Sequence, residues 1–223
     1  MHTRRTILCL AIIFFWSAYD PDMVSAQSSE WVEAARLYNE NYQRAAAAQN
    51  AGDYPGAEEW HRTNLALVDS TPGVPPEARV QARYNLASTL TAQSRLDEAE
   101  PILDEAQGVL DANPKVDPII KAYLMLNWGR LKGARSEFEV AEEMHEEGLA
   151  ILEDRIGLSG AATAGAQIAL ARIQVQLGKF KKAEGNYRRG LQVLSAFGGV
   201  ESNPFFLDAM NEHEALLSRL GIQ

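Results

Sequence analysis

The side chains that could do chemistry in this sequence are few, and their spacing suits packing better than catalysis. Three histidines lie beyond Ala26: His61, His145 and His213. A zinc-binding helix wants a second histidine four positions away, and His213, in "NEHEALL", has only carboxylates beside it. His61 and His145 occupy one column of a repeating pattern whose other members are Leu103 and Tyr187, so both are expected to pack on a helix. Glutamates crowd "SEFEVAEEMHEE", and Glu142, Glu143, Glu146 and Glu147 are expected on the solvated half of a helix. There is no glycine-rich phosphate loop, no Gly-x-Ser-x-Gly and no His-Glu-x-x-His. Neither an enzyme, a metal site nor a cofactor site is expected.

Charge and leader narrow the field further. Acidic residues outnumber basic ones 30 to 21, a formal net charge of −9, where a nucleic-acid binder would carry a basic footprint. "MHTRR" followed by the uncharged run "ILCLAIIFFWSA" and by Val24-Ser25-Ala26 has the layout of a secretory signal peptide covering residues 1–26. The run is too short to span a bilayer, which needs roughly 20 apolar residues, although an uncleaved anchor is the competing reading. Cys9, the only cysteine, lies inside it, so the mature chain would have no thiol. With no Asn-x-Ser/Thr sequon, an exported protein of a bacterial envelope, periplasmic or secreted, is the expectation, with no membrane span after cleavage.

What positions these residues is a strict internal period. Ala57, Ala99, Ala141 and Ala183 recur at one unvarying interval, each followed by glutamate: Glu58, Glu100, Glu142 and Glu184. Three positions before each alanine stand Tyr54, Leu96, Phe138 and Phe180, and twelve before it a second small column, Ala45, Ala87, Gly129 and Ala171. Phe180, Ala183, Tyr187, Leu191 and Leu194 step by three and four, as does the preceding "AQIALARIQVQL", so each unit reads as two antiparallel helices. Two helices that cross closely leave no room for a large side chain, which explains both small columns. Ser94-x-x-Asp97 and Ser136-x-x-Glu139 look like capping boxes, and Asp117-Pro118 and Asn203-Pro204 like helix starts. A last helix over 204–223 would bury Phe206, Met210, Leu217 and Leu220 and close the apolar end of the array.

The paired small columns, the residue ahead of them, and "YNLAS" and "NYRRGLQVL" resemble the tetratricopeptide repeat, in the 42-residue form of kinesin light chains, over about residues 31–197. The resemblance implies an all-α, right-handed α-solenoid of four hairpins (31–70, 77–112, 118–155 and 160–197, within 27–203) plus a C-terminal capping helix. Arg44 departs from the pattern, standing where Leu86, Trp128 and Leu170 stand in the other repeats.

It also implies function: a protein or peptide bound in a groove lined by first helices, with a column of asparagine on the ligand backbone. That column reads Gln43, Asn85, Asn127 and Ala169; the one before it contains Tyr84, and the one three positions on contains Arg130 and Arg172. The amides suit a peptide backbone, and the arginines an acidic segment or a C-terminus. Asparagine bonded within the array and tyrosine within the core remain the competing readings. Two other functions stay open: a subunit that self-associates or stacks into an envelope complex through its end helix near Phe205 and Phe206, and a small-molecule pocket. The basic residues Lys179, Lys181, Lys182, Arg188 and Arg189 read either as a partner to the acidic helix before them or as an outer binding patch.

Overall fold

The computed structural model describes residues 29–196 and 204–222; the signal-peptide reading and Asn203 lie outside the described residues. Among these residues every regular element is a helix: α1 (Ser29–Asn50), α2 (Tyr54–Ser70), α3 (Pro76–Ala92), α4 (Leu96–Ala112), α5 (Pro118–Ala134), α6 (Phe138–Ile156), α7 (Ala161–Gln176), α8 (Phe180–Ser195) and α9 (Pro204–Leu220). They group into two compact units, Pro21–Met144 and one containing His145–Gln223, so α6 contributes to both. In the first unit, α1 pairs with α2 and α3 with α4, while α3 also packs against α2 and α5. In the second, α7 pairs with α8, and α9 lies on α8.

The small columns sit where the crossing argument requires. Ala45, Ala57, Ala87, Ala99, Ala171 and Ala183 have no exposed surface, and Gly129 is buried. Gly190 marks another close approach: a Cβ there would stand 2.8 Å from the carbonyl oxygen of Ala164 and 2.8 Å from Ile168 Cγ1.

Each hairpin turns through the same motif. Gly52, Ser94, Ser136 and Gly178, at one position of successive repeats, all take positive φ (78°, 60°, 63° and 71°). The following N–H groups, of Asp53, Arg95, Glu137 and Lys179, donate to the carbonyls of Ala48, Leu90, Lys132 and Gln174 at 2.8–2.9 Å. This is the Schellman ending, in which a left-handed residue lets the chain satisfy the last carbonyls of a helix. Ser94 and Ser136 are therefore not capping-box residues. They terminate the first helix, and Arg95 stands at the N-cap of α4 without a side-chain cap bond. Asp117 does cap, accepting from the N–H of Ile119 at 2.9 Å.

In the first unit the glutamates after two crossing alanines, Glu58 and Glu100, each join one hairpin to the next. Glu58 on α2 accepts from Arg95 Nη1 at 2.5 Å and from Gln93 Nε2 at 2.8 Å, both at the α3–α4 turn. Glu100 on α4 repeats the arrangement with Arg135 at 2.6 Å and Lys132 at 3.4 Å. Burial would raise the Glu58 pKa, but the bonds from Gln93, Arg62 and Arg95 outweigh it and hold it below the usual carboxylate value. For Glu100, the bond from Arg135 is the main cause of a lowered pKa. Of the four glutamates expected on a solvated face, Glu143, Glu146 and Glu147 are exposed, but Glu142, a member of this column, is buried.

The ends differ from expectation in register. On α9 the buried side chains are Phe206, Ala209 and Leu216, with Leu220 packed beside them and His213 stacked on Tyr187. Met210 is exposed, because spacings of three and four from Phe206 pass through Ala209 and His213 instead. Arg44 is exposed on α1, its guanidinium 4.7 Å from the Trp60 ring centre, whereas the equivalent Leu86 is fully buried. A polar residue at the outer position of a terminal repeat is what a repeat array needs.

Replacing Ser94 and Ser136 by glycine should each stabilise the protein by up to about 1 kcal/mol, because an L-residue at positive φ is strained. Gly178→Ala should cost about 1 kcal/mol although its Cβ would meet nothing. Denaturant midpoints check both, with an unchanged m-value marking an effect on stability alone. Ala99→Leu should overpack the crossing and cost about 1–3 kcal/mol in the same assay.

Candidate protein-binding surface on the first helices

In the first unit, the first helices of the hairpins lie side by side and are tied across by polar side chains. Gln49 Nε2 on α1 donates to Thr89 Oγ1 on α3 at 2.8 Å. Arg130 Nη1 on α5 donates to Ser88 Oγ at 2.7 Å, joining equivalent positions of neighbouring repeats. The same helices also carry a cluster of tyrosines. The rings of Tyr84 and Tyr123 are 6.1 Å apart. Burial, then the neighbouring phenols of Tyr38, Tyr123 and Tyr42, push the Tyr84 pKa well above its ordinary value, so it stays neutral.

The expected groove residues separate by depth. Gln43 and Arg130 are exposed on α1 and α5. Tyr84 is buried in the core with Leu86 and Leu90. Asn85 is half-buried against Tyr38, where it opposes the upward shift that burial gives the Tyr38 phenol. Yet Asn85 Nδ2 and Tyr38 Oη both lack a partner at full hydrogen-bond geometry. Asn127 Nδ2 donates to the carbonyl of Tyr123 at 2.8 Å, one turn back on its own helix, and its Oδ1 is buried with no partner. The asparagine column thus bonds chiefly inward.

Arg172 belongs to the second unit and is held there by α9. Its Nε donates to Glu212 Oε2 at 2.8 Å, and its guanidinium lies 4.9 Å from the Phe205 ring centre. Tyr187 Oη donates to the same Glu212 oxygen at 3.0 Å. Phe206 is buried and Phe205 lies against Arg172, while Phe205, Leu207 and Met210 are exposed on the end helix.

Among the described residues no three His, Cys, Asp or Glu side chains group as metal ligands. His61 is buried, with its ring 6.2 Å from that of Tyr42, and burial lowers its pKa to about 4. His145 is buried as well. His213 Nε2 lies 3.8 Å from Glu184. No described helix is long and apolar enough to cross a membrane.

Helical hairpins recurring at a fixed repeat length, closed by paired small residues, define a helical repeat protein. Residues 79–106, covering most of α3 and the start of α4, match the tetratricopeptide repeat family. Among solved structures, BtubC (BKLC) from P. vanneervenii is similar, with a TM-score of 0.63 and 18% identity over 86% of this chain and 83% of that one. A Podosopora anserina protein described as a putative kinesin light chain with nearly identical TPR-like repeats is similar too, with a TM-score of 0.59 and 18% identity, covering 84% of this chain and 88% of that one. At that identity the likeness shows the fold: it is that of tetratricopeptide and kinesin-light-chain-like repeats. No curated protein matches the sequence.

Buried His61 gives a pH signature. A base whose pKa falls from about 6.5 in the unfolded chain to about 4 on folding binds fewer protons in the native state. Its contribution is complete above pH 6.5 and declines as pH drops toward 4, by about 3 kcal/mol in all. Glu58 and Glu100, with lowered pKa values, lose their contribution only at lower pH, below the ordinary 4.5. His61→Leu, which places the Leu103 residue type in that column, should flatten unfolding free energy between pH 6.5 and 4. An unchanged slope there would assign the acid sensitivity to other groups.

Proposed function

We propose that this chain is an exported, non-catalytic adaptor that holds an acidic segment or the C-terminus of a partner protein on the first helices of its N-terminal unit. Tetratricopeptide-like repeats are typically protein-interaction scaffolds, and the fold supports the reading to that extent. The finer reading is carried by one observation: Arg130 is exposed and anchored by Ser88 on the neighbouring helix, which fixes the guanidinium without burying it. A pre-positioned arginine fork loses less freedom when it takes a carboxylate. Gln43 supplies an exposed amide on α1, while Tyr84, Asn85 and Asn127 support the surface from beneath. Arg172, already paired with Glu212, is not part of the proposed surface. Export rests on the charged, apolar and small-residue succession of residues 1–26.

The test is affinity capture from envelope extract with the exported chain, beside the double variant Gln43→Ala, Arg130→Ala. Both are surface changes, expected to move stability by no more than about 0.5 kcal/mol. A protein retained by the parent and lost by the variant supports the reading. Equal retention overturns the surface, and retention of the bait alone makes self-association the better account. Finding the precursor uncut in the cytoplasm would overturn export.

A further inference from the structure

The first unit has a cleft well away from the Arg130 surface, at the open end of the α3/α4 hairpin. Its walls are Val74 from the α2–α3 connection, Pro76, Arg79 and Arg83 from α3, and Glu105, Gly108 and Val109 from α4, and its volume is about 670 Å³. That size suits a ligand of a few residues or a small organic acid. Gly108 leaves the α4 wall bare, since a Cβ there would meet nothing within 4 Å.

The two arginines are in opposite states. Arg83 is committed: Nη2 donates to both Asp69 oxygens at 3.0 and 3.1 Å, Nε to Glu105 at 3.2 Å, and Nη1 to the Arg79 carbonyl at 3.3 Å. It ties α2, α3 and α4 together and makes the back of the cleft rigid. Arg79, one turn earlier on the same helix face, makes one long bond, from Nε to the Val74 carbonyl at 3.4 Å. Its terminal nitrogens have no partner among the described residues. Asp69 and Glu105 both point to Arg83, which leaves the Arg79 fork as the donor to be filled, beside the apolar surface of Val74, Pro76 and Val109.

We propose that this cleft binds a carboxylate carried on an apolar group, the carboxylate on Arg79 and the apolar part against Val74, Pro76, Val109 and the space above Gly108. A polypeptide C-terminus ending in an aliphatic residue and a medium-chain acid share this chemistry. The second unit contains the matching cleft two repeat lengths on, about 450 Å³ and lined by Leu158, Gln167, Arg189 and Val193. There Gln167 replaces Arg83 and Thr163 replaces Arg79. Arg189, bonded to Asn186 Oδ1, stands in place of Glu105, so the second cleft carries its guanidinium on α8 instead.

The experiment is titration of the isotope-labelled full chain with N-acetyl-Ala-Ala-Leu, its C-terminal amide, and octanoate, followed by amide NMR shifts. The free-acid peptide should give saturable shifts across 74–83 and 105–113. The amide, and the free acid on Arg79→Gln, should bind about tenfold more weakly, the loss of one charge-assisted fork. Gly108→Trp should block the cleft, and Arg130→Ala should leave the affinity unchanged, which separates this site from the adaptor surface. Octanoate binding as well as the peptide would identify a small acid as the ligand; peptide binding alone would identify a chain end. No saturable shift with either acid, or equal binding by the amide or by Arg79→Gln, would overturn the proposal.

Discussion

The structure depends on the contact of two helices at a point where neither carries a side chain larger than a methyl group. With Ala87 against the α3/α4 interface and Ala99 answering it from α4, the backbones approach closely enough for Leu86, Leu90 and Leu103 to close around the crossing. Burial of those side chains supplies the driving force, at roughly 25 cal/mol per Å² of apolar surface. The alanines supply proximity instead. A larger residue there would add apolar area yet separate the helices on which the remaining contacts rely.

From that crossing the other repeated features follow in order. Helices held close must reverse direction within a very short turn, and a left-handed residue achieves this while satisfying the last carbonyls. The first and fourth hairpins use glycine for it and the middle two use serine, which accept strain at the same place. The turn then presents Gln93 and Arg95, or Lys132 and Arg135, to the glutamate beside the previous crossing alanine. The Ala-Glu pair that recurs in the sequence thus joins two levels of organisation: the alanine closes its own hairpin and the glutamate holds the following one.

Elements whose cause is local are legible in the sequence. The repeat period, the helix pairs, the small columns and the buried state of His61 and His145 follow from residue type and spacing. Three features are not legible, each for a physical reason. A serine three positions before an acid reads equally as an N-cap or as the residue that ends the preceding helix, and only φ distinguishes them. The face of α9 is ambiguous because four apolar residues fit one helical stripe, while a stripe through Ala209 and His213 fits the available surface better. The groove column differs in depth from its expected place: Asn85 and Asn127 are drawn inward by Tyr38 and the Tyr123 carbonyl, a tertiary partner and a backbone one that spacing does not reveal. Arg172 reads from spacing as a ligand residue, but Glu212 reaches it from a helix whose register the apolar pattern leaves open.

The link from Glu58 to Arg95, repeated from Glu100 to Arg135, has direction: each hairpin offers an acid forward and receives with the basic turn behind it. Contacts of this kind do not close on themselves, unlike the self-complementary surfaces of a twofold dimer. Gene duplication or loss of one whole repeat within the first unit would therefore leave a joint of this kind intact, acid meeting base as before. A shift of the same joint by a single position would break the helix crossing and the ion pair together. The repeat length is thereby the natural quantum in which such a protein can grow or shrink.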